Sequence, residues 1–203
     1  VQYQQRFQKG KREEIEKMRT IIWFLYFWLY LIVVLPEYWR VCRMEKRGET
    51  ERHDRLVRKH VQNWAGRLLR LAGAEITTTG RENIPEGPVV FVANHQGYFD
   101  IPLMLTQLDK PNPIVAKKEI MKLPMIRGWM EQLRCVFLDR EDPRKSMESL
   151  KSAQELLGKG YSVTIFPEGT AAGSWANLRP ELSGWPPVPM YRWCRCASTA
   201  ATS

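Results

Sequence analysis

His95 and Asp100 stand five residues apart, with Gly97 between them, just after the apolar run Val89-Val90-Phe91-Val92-Ala93. A run of that composition predicts a short buried strand. It would deliver Asn94 and His95 to its carboxyl end, where α/β sheets carry their sites. Gly97 lets the chain turn sharply, and Asp100 falls near a helix start, within reach of one imidazole nitrogen. The other nitrogen can then take a proton from a substrate hydroxyl. This is a base with its orienter and no protein nucleophile, so a substrate alcohol would attack. A histidine after a strand with an aspartate nearby is also a common capped turn, and the pair alone leaves both readings open.

A second strand, Tyr161 to Ile165, ends in Phe166-Pro167-Glu168-Gly169-Thr170. NHxxxxD followed at this distance by FPEGT resembles the lysophospholipid acyltransferase family, over Thr20 to Thr170. The resemblance implies His95 as general base on the acceptor hydroxyl, Asp100 as its partner, and the thioester of acyl-CoA or acyl carrier protein as donor. The acceptor it implies is 1-acyl-glycerol-3-phosphate, giving phosphatidic acid. Cys135-Val136-Phe137-Leu138-Asp139-Arg140 matches the family's arginine motif, which makes Arg140 the phosphate ligand. Glu168, Gly169 and Thr170 would shape the acceptor site. A guanidinium offers a fixed fork of donors to phosphate oxygens. Taken alone, Arg140 in Asp139-Arg140-Glu141-Asp142 would read as a solvated charge.

Composition bounds the partners. The 203 residues carry a formal net charge of +9 with 44% hydrophobic content, enough for one α/β domain and an accessory segment. Such a basic chain suits nucleic acid, an anionic membrane, or anionic substrates. No zinc-finger spacing, RNP-like aromatic motif or basic repeat supports nucleic acid, which leaves membrane lipid as the expected partner. Cys42, Cys135, Cys194 and Cys196 form neither a disulfide framework nor a paired CxxC, as in a reducing compartment. No metal site and no redox cofactor is expected.

In chain order, Val1 to Lys17 is polar and reads as a basic arm or a translated leader, with Met18 the expected start. Thr20 to Leu35 is apolar and free of charge, short of the roughly 20 residues of a full span, and Tyr38, Trp39, Arg40 and Arg43 extend it into an interfacial belt. Glu51 to Ala72 predicts a basic amphipathic helix with Leu56, His60, Trp64, Leu68 and Leu71 on its apolar face. It is a candidate second member of an N-terminal membrane helix pair, with His53 and His60 on its surface. Ala74 to Thr79 reads as a strand. Ile101 to Leu108 is a helix with Pro102 in its first turn. Pro113 to Ala116 is a strand whose end presents Lys117 and Lys118 as a second cation for phosphate or CoA, or as plain surface charge. Pro124 and Gly128 are expected to break a helical segment, and Arg144 to Leu157 is a further helix. Strands alternating with helices argue a largely parallel sheet covered on both faces.

These readings divide the chain into a leader (1–17), a membrane-associated helical segment (18–72), an α/β domain (73–170) and an anomalous tail (171–203). The tail, AAGSWANLRPELSGWPPVPMYRWCRCASTAATS, has no periodicity. Back-translated with permitted codons and read one nucleotide earlier, it gives an Arg or Ser followed by GRKLGKFKTGVVRLAAGTNVPLVPVRIDG, the continuation that the resemblance implies. We therefore expect a frame shift near Thr170, an incomplete sheet, and a chain that is unstable or inactive as written. The expected location is the cytoplasmic face of a bacterial inner membrane. Other readings are the same chemistry on another lysolipid or on glycerol-3-phosphate, and a non-enzymatic membrane-binding fragment. Acyl length and oligomeric state are not encoded in these patterns.

Overall fold

The computed structural model describes residues 2–93, 97, 99–108, 112–139, 141–166 and 190–193, and for 2–16, 143 and 190–193 the backbone alone. They divide into two compact units, Val1–Thr78 with Ile101–Gln107, and Thr79–Asp100 with Leu108–Ser203.

The first unit is helical. Helix α1 spans Gln2–Val33, α2 Leu35–Lys46 and α3 Thr50–Leu71. The polar residues expected as a leader thus continue into the apolar stretch as one helix. Pro36 lacks the N–H that would bond to Ile32, and α1 and α2 meet there at 50°. Among the described residues no single helix is long and apolar enough to cross a membrane, although the bent pair Lys17–Val33 and Leu35–Lys46 passes that test together.

Helix α3 packs antiparallel on α1. Arg19 Nη2 donates to the Ala72 carbonyl at 2.6 Å, Trp23 Nε1 to the Leu68 carbonyl at 3.1 Å and Tyr30 OH to the His60 carbonyl at 3.4 Å, while the Phe27 and Trp64 rings meet at 5.3 Å. Gly73 ends α3 with φ +67°, and a Cβ there would collide with the Arg19 guanidinium. The buried stripe of α3 is His53, Val57, Ala65, Leu68 and Leu69. It is rotated from the expected one, because Leu71 is exposed and Leu56, His60 and Trp64 are only half-buried. His53, expected on the surface, is fully buried, and its Nδ1 lies 2.7 Å from Asp54 Oδ1. The other side of α1 is apolar and exposed, including Ile21, Leu25, Trp28, Leu29, Ile32 and Val33.

The second unit is built on strands β1 (Val90–Ala93), β2 (Val115–Lys117), β3 (Val136–Leu138), β4 (Val163–Ile165) and β5 (Met190–Trp193). β1 lies between β4 and β5, β2 pairs β3, and a bridge from Ile114 to Thr164 joins β2 to β4. Every pairing is parallel, giving the order β3-β2-β4-β1-β5. Residues 90–93 are all buried, as a strand covered on both faces must be, and this is why the sequence there is apolar without alternation. Helices α5 (Pro124–Gln132) and α6 (Pro143–Gly158) belong to this unit, whereas α4, Asp100–Gln107, falls in the first unit from Ile101 onward. Leu150, Ala153 and Leu157, on one face of α6, close the core over Val90, Val92, Val115, Val136, Leu138, Val163 and Ile165. Each fully buried Val, Leu or Ile there stabilises the fold by about 1.5–3 kcal/mol.

Three expectations change. Ala74–Thr79 is in no ladder and mostly exposed; β-branched residues with no neighbouring strand to pair do not make one. Pro124 begins α5 instead of breaking a helix, since its fixed φ suits a first turn, and Gly128 is buried within it. The expected incompleteness of the sheet fails at one place, where β5 in the tail fills the free side of β1, with Phe91 level with Tyr191. The rest of the tail lies outside the described residues.

Candidate active site

Parallel pairing puts the carboxyl ends of all five strands at one edge. β1 and β4 are in register, Val92 beside Ile165, so the segments after Ala93 and Phe166 leave adjacent strands at the same level. Positions 73 apart in sequence, as Val92 and Ile165 are, thus stand side by side. His95, Arg140, Glu168, Gly169 and Thr170 themselves lie outside the described residues; the structure gives what flanks them.

Asp100 is the first residue of α4 and is buried. Its Oδ2 accepts from the Gly97 N–H at 2.8 Å, while its own N–H donates to the Gly97 carbonyl at 3.2 Å. This reciprocal pair resembles a capping box, in which a carboxylate reaches back to the N–H at the helix entrance. A negative charge is favoured there by the helix dipole. Among the described residues nothing stands within 4 Å of where a Cβ on Gly97 would lie.

At the ends of β2 and β3 the expected lysines part ways. Lys117 is exposed. Lys118 reaches Asp139, with Nζ 2.7 Å from Oδ2, so it serves a carboxylate of the protein in this structure. That hydrogen bond holds the Asp139 carboxyl below the usual carboxylate range and raises the Lys118 ammonium above its ordinary value. Sequence reasoning missed Asp139 and the straps around it. Ser149 Oγ donates to the Phe137 carbonyl at 2.9 Å and Ser146 Oγ to the Asp139 carbonyl. Asp142 caps α6 by accepting from the Arg144 and Lys145 N–H groups at 3.0 and 3.3 Å, which holds its carboxyl low. Asp142-Pro143, a cap residue followed by proline, was the available signal.

Cys135, at the foot of β3, is buried and its thiol is pushed up to about 12 by burial. It stays protonated and is no nucleophile. The described residues therefore offer an oriented carboxylate, two lysines at the end of β2, and one edge where two motif-bearing segments begin. Acid–base work on a hydroxyl beside an anionic group fits that set.

Comparison with known proteins gives the same direction. The acyltransferase family model matches residues 75–184, more than half of the chain and extending past Thr170. The chloroplastic 1-acyl-sn-glycerol-3-phosphate acyltransferase LPAT1 of Arabidopsis thaliana is 43% identical over 99 residues, 47% of this chain and 27% of that protein. The 1-acyl-sn-glycerol-3-phosphate acyltransferase of Pseudomonas aeruginosa is 36% identical over 116 residues, 54% of this chain and 44% of that protein. The matched region thus spans less than half the length of either. The crystal structure of the 1-acyl-sn-glycerophosphate (LPA) acyltransferase PlsC from Thermotoga maritima matches with a TM-score of 0.54 at 28% identity, covering 75% of this chain and 63% of that one. Both are α/β folds with parallel strands flanked by helices.

Proposed function

Because the chain belongs to the acyltransferase family, we propose that it transfers a fatty acyl group from acyl-CoA or acyl carrier protein to the free hydroxyl of 1-acyl-sn-glycerol-3-phosphate, the acceptor in the names of its relatives. The observation that carries the reading is the register of β1 with β4, which starts the His95 and Glu168 segments from adjacent strand ends. In this mechanism His95 removes the hydroxyl proton as the oxygen attacks the thioester carbonyl. The carbon–sulfur bond breaks, and the thiol leaves with a proton returned from the imidazolium. Asp100, held by Gly97 at the start of α4, orients the imidazole. Arg140 binds the acceptor phosphate bidentately, Lys117 adds a second positive charge, and Glu168, Gly169 and Thr170 shape the acceptor site.

The acceptor and donor lipids partition into bilayers, and the helical unit suits that location. The exposed apolar side of α1 supplies an insertion face. A cleft of about 400 Å³ lined by Pro36, Arg40, Arg43, Met44, Arg47, Glu49 and Arg52 places arginines where anionic headgroups would meet them. We propose the cytoplasmic face of a bacterial inner membrane as its location.

The test is product formation from labelled acyl-CoA and acyl carrier protein, each offered 1-acyl-glycerol-3-phosphate, lysophosphatidylcholine and glycerol-3-phosphate. Phosphatidic acid is the expected product. Preferred acylation of another acceptor would reassign the headgroup, and no transfer to any acceptor by either the folded, membrane-bound chain or its frame-corrected form would overturn the reading.

A further inference from the structure

We infer that Asp139 is a positioning residue for headgroup recognition, locking the chain on both sides of position 140 so that the side chain there meets the acceptor phosphate. The inference rests on reading Arg140 as the phosphate ligand. Asp139 follows β3 directly, and its side chain is only 12% exposed while that of its partner Lys118 is 55% exposed. Its Oδ2 accepts from Lys118 Nζ at 2.7 Å, and its Oδ1 accepts from the Glu141 N–H at 3.3 Å, across position 140. Its carbonyl accepts from Ser146 Oγ. One residue thereby joins the end of β2, the end of β3, the turn after it and the first turn of α6.

The electrostatic consequence is as specific as the geometric one. A carboxylate beside an arginine is the natural competitor for that guanidinium, since Asp–Arg pairs bind bidentately as phosphate does. It would also repel a phosphate. Here Oδ2 of Asp139 accepts from Lys118 and Oδ1 from the Glu141 N–H, and Lys118 offsets the carboxylate charge. Asp139 thus ties Glu141 and Lys118 to the end of β3 with its own charge already offset. Lys118 acts through Asp139 in the same way, which explains why two adjacent lysines at one strand end make different contacts.

The experiment uses the full chain in membranes, with steady-state kinetics in both 1-oleoyl-glycerol-3-phosphate and oleoyl-CoA. Asp139→Ala is expected to raise KM for the lysophosphatidate about tenfold, the order of one lost charged hydrogen bond. kcat and KM for oleoyl-CoA should stay near parental values. Lys118→Met and Asp139→Asn each keep the acceptor to Glu141 and lose the ion pair, so both should raise that KM less than Asp139→Ala does. A folded Asp139→Ala protein with unchanged KM, or one whose kcat and both KM values deteriorate together, overturns the inference. If Asp139→Ala does not fold, the Asn and Met variants decide by the same criterion. Arg140→Ala separates the two ideas. A raised KM there with no effect at Asp139 refutes the inference alone, whereas no effect of Arg140→Ala refutes the phosphate-ligand reading.

Discussion

The two units treat apolar residues in opposite ways. In the sheet, Val90, Phe91, Val92 and Ala93 are each 4% exposed or less, whereas Ile21, Leu25, Leu29 and Val33 on α1 are 59–68% exposed. Similar side chains thus have opposite fates. The strand lies inside a sheet with α6 packed over it, while α1 has α3 on one side and, among the described residues of its unit, no cover on the other. Apolar content therefore says that something will be buried, and only packing says whether the chain or its surroundings do the burying.

The sharpest test of that division is His95→Ala. Loss of a general base costs about 10²–10⁴ in rate, so acyl transfer should collapse while vesicle binding persists; activity within a few-fold of the parent would remove the base. Next comes Phe91→Ala, expected to cost about 3–5 kcal/mol of stability from the lost transfer energy and the cavity. A paired substitution on the exposed side of α1, Leu25→Asn with Leu29→Asn, should change stability in detergent by no more than about 1 kcal/mol yet weaken binding to anionic vesicles. Equal stability losses at the two places, by denaturant titration, would erase the contrast.

A frame correction at Thr170 probes the sheet's far side. The alternative frame places NVPL where β5 has MYRW; among the described residues β5 pairs only with β1, and an edge strand tolerates proline. The corrected protein should unfold at higher denaturant and turn over faster in the same membranes. Nucleotide sequencing across the junction comes first, and an intact frame would make the tail genuine.

The smallest effect is in pH. Unfolded aspartates titrate near 3.9 and lysines near 10.4. Asp139 is lowered and Lys118 raised, so the aspartate's contribution is full above that carboxylate value and fades as pH falls through the lowered one. The lysine's is full below its unfolded value and fades as pH rises through the raised one. The unfolding midpoint of the parent minus that of Asp139→Asn should be flat from about pH 6 to 9 and shrink on both sides of the window that those values define. A difference independent of pH would mean that the pair contributes no charge-linked stability.

The sequence made β1, β3, β4, α4 and α6 legible because buried strands are continuously apolar and α6 carries strong cap signals. It misplaced features that depend on a distant partner. Ala74–Thr79 has strand composition and no ladder, and α3 turns a different stripe inward because Trp23, Phe27 and Tyr30 of α1 fix its azimuth. Asp100 was legible as a helix-start carboxylate. Lys118 was not legible as an ion-pair partner, since Asp139 lies 21 residues away and only the β2–β3 register brings them together.

The place of β1 in the sheet also sets a clock. Both of its ladder partners are encoded late, with Phe91 paired to Thr164 and Tyr191. At about 5–20 residues per second, roughly 70 to 100 further residues must be synthesised before either side of β1 is covered, a wait of several seconds to about 20 s. For that interval an apolar strand with two open edges is exposed to chaperones, proteases and other nascent chains. Errors after residue 160 thus reach back in time to the fate of a segment made long before them.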